Sequence, residues 1–493
     1  MVTKQTRNIK VAIIGAGIAG IATSIRLAAR GFQVEIYEAN AYPGGKLTEI
    51  TINGFRFDAG PSLFTLPVLV EELFDLCGEK TTEHFDYIKL ENNCNYFYED
   101  GTVIHASHDL EAFVNEVFNK TNEKPESLRK TLSRSKTLYH YLGELFMSHS
   151  LHDPATFWNS LARKAYANLH KMDFFRTMNG ANQATLSDPR VIQLFNRYAT
   201  YNGSDPYQTP ATMNIIPHLE FGIGAFFPKN GMHDITLSLT ELAKRQGVKF
   251  HFNQPVNEIV LEKQHVKGIK IGKEIIPFDR VVSNMDIVGT YQKLLPAIKP
   301  TKRLLSQPKS SSALIFYWGI NRSFPELDLH NIFFSADYRE EFKSIFTDRT
   351  IFSDPTVYVN ITSKYKSNDA PDQCENWFVM INVPNNQGQD WDQLIAISRK
   401  NILEKMSRIL KTEVEKVIVA EDYLDPRLIE KRTSSSFGAL YGNSSNNRFA
   451  AFLRHANFSK RIGGLYFCGG SVHPGGGIPM CLSSAKIVDR YFN

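Results

Sequence analysis

The chain has 493 residues, more than one ordinary hydrophobic core accommodates, so two or more domains are expected. Its 42% hydrophobic and 22% charged residues describe a soluble globular protein and exclude a disordered one. The 56 basic and 51 acidic residues leave a net charge of +5, enough for weak attraction to an anionic membrane surface but no argument for nucleic acid.

In chain order, the polar start MVTKQTRNIK carries no secretory apolar core. Next comes VAIIGAGIAG, an apolar β-branched run followed by Gly15, Gly17 and Gly20. Ile18, Ile21, Ile25 and Leu27 continue at helical spacing, and a second short strand, Val34 to Tyr37, ends at Glu38. Strand, G-x-G-x-x-G, helix, strand and acid in one unit form a dinucleotide fingerprint. Gly15 makes the tight turn, Gly17 lets backbone approach a pyrophosphate, and Gly20 lets the helix pack on the strand. The helix start around Ile18 and Ala19 offers free N–H groups to phosphate, and Glu38 suits a ribose diol.

Residues 41–64 read as a loop rich in Gly and Pro. Its Gly44-Gly45-Lys46 gives a second stretch of backbone able to approach the same ligand, with Lys46 adding charge for the pyrophosphate. A nicotinamide dinucleotide has no need of this second wrap, whereas FAD, with its ribityl chain, does. Further on, residues 65–78 predict an amphipathic helix, 86–104 short strands around Glu99-Asp100-Gly101, and 108–200 mostly helix. Strands are expected at 248–261, 266–276 and 280–283. A second sheet is expected from 313–320, 330–334, 356–361 and 377–383, then a helix over 393–410. The tail, from 465, reads as strand, glycine loop and helix.

The alternation predicts an α/β fold with a Rossmann-like FAD-binding domain and a second domain of mixed sheet and helices. The first would comprise residues 1–85, 226–300 and 430–493, and the second 86–225 and 301–429. Cys77, Cys94, Cys374, Cys468 and Cys481 contain no C-x-x-C pair and read as free thiols of a reducing, cytoplasmic compartment. No apolar run reaches about 18 residues, so any membrane contact would be peripheral, at the inner face of the cell membrane. No metal spacing occurs, and Gly222-Ile223-Gly224 is no second nucleotide loop, so electrons are expected to leave for oxygen or a quinone and not to arrive from NADPH.

Glu38, Gly44-Gly45-Lys46 and the string Gly54 to Asp58, Gly60 and Pro61 resemble the flavin amine oxidase-like superfamily. The tail Gly470-Ser471-Val472-His473-Pro474-Gly475-Gly476-Gly477-Ile478-Pro479 is similar to that of the bacterial and fungal phytoene desaturases, as are residues 194–211, 227–232 and Ser436-Phe437-Gly438. The likeness spans nearly the whole chain, with Lys46, Asn230 and Met480 departing from the commoner Arg, Gly and Gly. It implies that Gly60, Pro61, Ser62 and Val256 also touch FAD, and that Gly470, Gly477, Ile478 and Pro479 meet the flavin ring and ribityl chain. It implies removal of two hydrogens from a C–C bond beside a polyene, of phytoene or of a hydroxylated or monocyclic carotenoid, the last by 3,4-desaturation. Such chemistry demands no strong base from the protein, since the cofactor carries the hard step.

His473 is a candidate catalytic group or, equally, a structural histidine of its loop. Asp205, Glu220 and Arg454 read as positioning residues. Phe146, Phe157, Trp158, Phe174, Phe175, Tyr198 and Tyr201 are candidates for an apolar tunnel or simply for core, and the stretch 157–176 for a basic amphipathic face lying on a bilayer. The alternatives are a related flavin oxidase, a carotenoid isomerase, a retinol saturase, or a non-catalytic prenyl-lipid carrier of the same fold.

Overall fold

A computed structural model describes residues 8–492. The polar start of the chain, residues 1–7, lies outside them, as does Asn493. A parallel sheet of five strands runs in the order Leu465–Phe467, Arg280–Ser283, Lys10–Ile14, Gln33–Tyr37, Lys249–His251. Its central strand is covered on both faces, which is why its sequence is a continuous apolar run and not an alternating one. Val11 and Ile13 pack under the helices Ile18–Ala29, His233–Arg245 and Ile478–Tyr491. Ala12 and Ile14 face a three-stranded antiparallel sheet built from Glu258–Glu262, His265–Ile271 and Glu274–Pro277. Arg30 ties the two ends of the chain together, donating to Asp489 at 2.7 Å and to the Phe492 carbonyl at 2.8 Å.

The second sheet has seven strands, in the order Ile418–Leu424, Ser312–Ile320, Glu375–Val383, Val357–Ile361, His330–Phe333, Asn92–Phe97, Val103–Ser107. All its pairs are antiparallel except His330–Phe333 with Asn92–Phe97. One face is closed by the helix Trp391–Leu410. The other presents Tyr358, Phe378, Met380 and Ile315 to a large cavity. Helices between residues 110 and 223 close that cavity from the side.

Three expectations need correction. The segment 41–64 is not all loop: Glu49–Ile52 and Phe55–Asp58 form a hairpin whose turn, Asn53-Gly54, has φ of 49° and 85°. Asn-Gly accepts such left-handed backbone readily, and this is the common two-residue hairpin signal. Phe55 and Phe57 then pack against the seven-stranded sheet beside Ala313 and Tyr317. The run 248–261 is broken between His251 and Glu258, where Asn253 turns with φ 56° and Pro255 lacks a ladder donor. The stretch 157–176 is not one amphipathic helix but a short helix, Ser160–Tyr166, between 3-10 turns. Among the described residues no helix is long and apolar enough to cross a membrane.

Candidate functional site

The cavity has a volume of about 1530 Å3. Its floor is the C-terminal end of the parallel sheet, where the glycine loops meet. Gly15 (φ 98°) takes the turn out of the first strand, and its N–H donates to the Tyr37 carbonyl at 2.8 Å. A Cβ on Gly20 would lie 2.3 Å from the Gly15 carbonyl oxygen, so only glycine allows the helix to approach this closely. Gly20 itself is buried under the loop; Gly15, Gly17, Ile18 and Ala19 line the cavity. The Gly44 N–H donates to the Ala16 carbonyl at 2.8 Å, and Gly44 bridges Gly17, so the second diglycine is docked on the first. Gly60 sits so tightly on Lys46 that a Cβ there would stand 1.7 Å from the Lys46 carbonyl oxygen.

Glu38 is buried, and its carboxylate accepts the Ala16 N–H at 2.7 Å and the Asn40 N–H and side-chain amide at 2.9 Å. Two carboxylate oxygens offer about four acceptor positions, so capacity remains for a ligand diol. Glu38, Gly44, Gly45, Gly60, Pro61, Ser62 and Val256 all line the cavity, as do Gly470, Gly477, Ile478 and Pro479 of the tail. Both helices that open onto it, Ile18–Ala29 behind Gly17 and Ile478–Tyr491 behind Gly477, start without a side-chain cap. Uncapped N–H groups facing a cavity suit an electron-rich ligand. Glycines at each close approach, two bare helix starts and a buried acid fit a flavin dinucleotide.

Lys46 differs from expectation. It lines the cavity, but its ammonium donates to the carbonyls of Leu440 at 2.8 Å and Ala439 at 3.3 Å, not toward the phosphate loop. Burial pulls it down to about 8. Lys46 therefore stitches the second glycine loop to the strand of chain leading into the tail.

His473 is also elsewhere. It is 0% exposed and does not line the cavity. Its Nε2–H donates to the His149 carbonyl at 2.9 Å, and its ring meets Phe146 edge-on at 5.0 Å. Burial lowers it to about 3, so the ring is neutral. The structural reading of His473 is the one its surroundings support, as a strut between the tail loop and the helical region. The sign follows from linkage: the unfolded imidazole protonates near 6.5 and the folded one only near 3, so stability falls as pH drops from 6.5 toward 3. We expect the melting temperature to fall through that window and the fall to be shallower in His473→Gln, read by calorimetry across pH.

Asp205 accepts bonds only from its own loop, from Tyr207 N–H at 2.8 Å and Gln208 at 2.7 Å. Arg454, held well down at about 10 by burial, reaches the Tyr441 carbonyl at 3.3 Å and lines the cavity beside Gly475. Of the tunnel aromatics, Phe146, Phe157, Phe174 and Tyr201 line the cavity, and Tyr198 is core. Trp158 and Phe175 point outward, 81% and 85% exposed. Sequence reasoning missed Asn284, whose side chain fills the space between Gly17 and Gly20 and donates to the Cys468 carbonyl at 3.2 Å. Its signal was its place just past an apolar strand, Arg280–Ser283, beside the first. It also missed Arg197, which joins two residues singled out from the sequence, Tyr201 and Glu220, in one wall of the cavity. There Arg197 donates to Glu220 at 3.1 Å and Tyr198 to Glu220 at 2.6 Å, all buried among Tyr96, Tyr198 and Tyr201.

Residues 18–488 match the family model of flavin containing amine oxidoreductases. The chain belongs to this family. Among curated proteins it is 50% identical, over 97% of this chain and 98% of the other, to a 1-hydroxycarotenoid 3,4-desaturase of Flavobacterium sp. (strain P99-3). It is 32% identical to a 4,4'-diapolycopene oxygenase of Methylomonas sp. over 98% and 97% of the two chains. It is 31% identical to a phytoene desaturase of Phycomyces blakesleeanus over 97% and 84%. Solved structures of the same fold include an oxidoreductase from Methanosarcina mazei (TM-score 0.64, 15% identity, 98% and 100% coverage). Another is cyclohexylamine oxidase from Brevibacterium oxydans IH-35A (TM-score 0.60, 16% identity, 98% and 99% coverage). As a family member the protein is an FAD-binding oxidoreductase, and the cradle described above is where its own residues suit that cofactor.

Proposed function

We propose that this protein is an FAD-dependent carotenoid desaturase that withdraws two hydrogens from a C–C bond next to a polyene, acting on a hydroxylated carotenoid at its 3,4 bond. The observation that carries the reading is that one cavity holds both the dinucleotide cradle and a long apolar wall, including Phe146, Phe157, Phe174, Phe378 and Met380. The extensive identity to the Flavobacterium desaturase supports the 3,4 position. FAD, when bound, supplies the two-electron acceptor for the carbon–hydrogen bond. The chain's part is to hold the polyene straight against apolar side chains and to keep water from the reacting carbons. The acceptor that would reoxidise the bound flavin is inferred to be oxygen or a quinone.

The mouth of the cavity supports a membrane source for so insoluble a substrate. Phe157, Tyr166, Leu169, Phe174 and Phe452 line it, and Trp158, Phe175 and Phe449 stand exposed nearby in the same segments. Arg163, Lys164, Lys171 and Arg448 are exposed among them. Exposed aromatics ringed by basic residues suit a peripheral seat on an anionic bilayer, here the inner face of the cell membrane. Trp158→Ser with Phe175→Ser is expected to reduce flotation with anionic vesicles at least fivefold.

The deciding experiment is co-expression with pathways that make acyclic and hydroxylated carotenoids, followed by pigment analysis. A product two mass units lighter with a red-shifted spectrum is expected. A product gaining oxygen instead would favour oxygenation, as in the name of the Methylomonas relative, and unchanged pigments across the panel would overturn the reading.

A further inference from the structure

Away from the glycine loops, the cavity wall carries a buried polar patch. Asn93 and His330 lie there, on strands that pair in parallel, together with the Arg197–Glu220 wall. Both side chains are more than nine-tenths buried, and each keeps one polar atom without a partner: Asn93 Oδ1 and His330 Nε2. Buried unpaired polar atoms are uncommon, and each calls for an explanation.

Their chemistry is defined by their other atoms. The Asn360 amide donates to the Leu329 carbonyl at 3.0 Å, which fixes its orientation, and it also faces His330 Nδ1 at 3.2 Å. An amide N–H only donates, so Nδ1 accepts. Tyr358 OH also lies 2.7 Å from the same Nδ1 and is itself paired with Ser62 at 2.7 Å. Burial lowers His330 to about 4, so the ring is neutral and carries its proton on Nε2. The open atom of His330 is therefore a donor. The Asn93 amide nitrogen faces the Glu220 carbonyl at 3.4 Å, so its open atom, the oxygen, is an acceptor.

One unpaired neutral donor and one unpaired neutral acceptor on the wall that also carries Ile332 and Phe378 match a hydroxyl group, which needs both. An ammonium has no lone pair for His330 to use. A carboxylate has no proton for Asn93 and would sit near the carboxylate of Glu220. A hydrocarbon end would leave both protein atoms unpaired. Asn202 also lines the cavity with a free amide, but it leads into Gly203, packed on Ser310 and Tyr441 beside the tail loop, and so belongs to the cofactor side. Resting on the desaturase reading above, we propose that Asn93 and His330 form the subsite that binds the terminal hydroxyl of the polyene, donating through His330 Nε2 and accepting through Asn93 Oδ1, and so select hydroxylated over unhydroxylated carotenoids.

The test uses the FAD-loaded protein in liposomes with 1-hydroxylycopene and lycopene as paired substrates. The wild type is expected to favour the hydroxylated polyene at least tenfold in kcat/KM, since each hydrogen bond lost to a buried polar atom is worth roughly tenfold. Asn93→Leu and His330→Phe are each expected to bring that ratio below about three, while His330→Gln, which keeps a donor, retains most of it. Flavin absorbance per protein and melting temperature are followed in parallel, and Asn93→Leu carries the reading should His330→Phe not fold. A wild-type ratio near one, or variants that slow both substrates in parallel, would overturn the subsite and leave the desaturase reading standing. If the wild type converts neither polyene, the desaturase reading fails. The subsite is then read from binding alone by tryptophan quenching, where equal affinities for the two polyenes would overturn it.

Discussion

Purified Gly60→Ala protein is expected to be colourless, with its affinity for FAD reduced at least 100-fold. The new Cβ would stand 1.7 Å from the Lys46 carbonyl oxygen and 2.8 Å from the Lys46 carbonyl carbon. Neither atom belongs to a side chain that can rotate away, so one of two backbone segments has to move. Both line the cofactor cavity, and the Gly44–Lys46 turn is bonded to the first glycine loop through Gly44 N–H and the Ala16 carbonyl at 2.8 Å. Displacement is thus passed to the part of the chain expected to hold the pyrophosphate. Overpacking a well-filled site costs about 1–3 kcal/mol when side chains adapt, and a backbone clash belongs at the top of that range or beyond. About 3 kcal/mol taken from cofactor binding is more than a 100-fold change in Kd. Flavin absorbance on purification and a fluorescence titration with FAD measure it. Gly78→Ala is the comparison: its φ of 73° is disfavoured for alanine, a strain that Gly60 does not have, but no atom lies within 4 Å of the added Cβ, and it should stay yellow. A yellow Gly60→Ala protein would mean that these two wraps do not jointly grip the cofactor.

The first glycine loop was legible because everything it needs is local. Strand, turn, helix and acid fall within residues 10–38, and each leaves a period or a glycine in the sequence. The tail was legible for the same reason. The Asn53-Gly54 hairpin carried its own turn signal but was masked by the surrounding glycines and prolines of a long loop. Lys46 was expected to add charge for the pyrophosphate, and its ammonium instead meets the carbonyls of Ala439 and Leu440, almost 400 residues downstream, which no local pattern could place beside it. His473 sits in a motif that suggests flavin contact, yet the chain turns its ring away from the cavity toward His149. Asn93 and His330 left no trace in the sequence. Parallel pairing of two short strands brings them to one wall, and no spacing rule spans that separation.

The Arg197–Glu220 pair is the polar wall on which this part of the cavity depends, and breaking it is expected to cause the largest loss of stability of any change considered. Both side chains are buried, 3.1 Å apart, and three tyrosines surround the guanidinium with ring centroids at 4.4–5.4 Å. Taking two charges out of water is costly, so the intact pair is no large source of stability in itself. Removing one partner is different, because the other charge then stays buried without compensation, at about 3–5 kcal/mol. Glu220→Leu and Arg197→Met should each lower the unfolding free energy by that amount, measured by guanidinium chloride denaturation. The double variant should fall well short of their sum, with a coupling of about 2 kcal/mol or more. Tyr201→Phe, which removes one hydroxyl donor to Glu220, should cost only about 1 kcal/mol. The two single variants should also weaken selection for a hydroxylated polyene, since the pair holds in place the segment whose backbone carbonyl at Glu220 takes the Asn93 amide. Strict additivity of the two single variants would show that the charges are solvated rather than paired, and the wall would then be open to water and unfit to line an apolar tunnel.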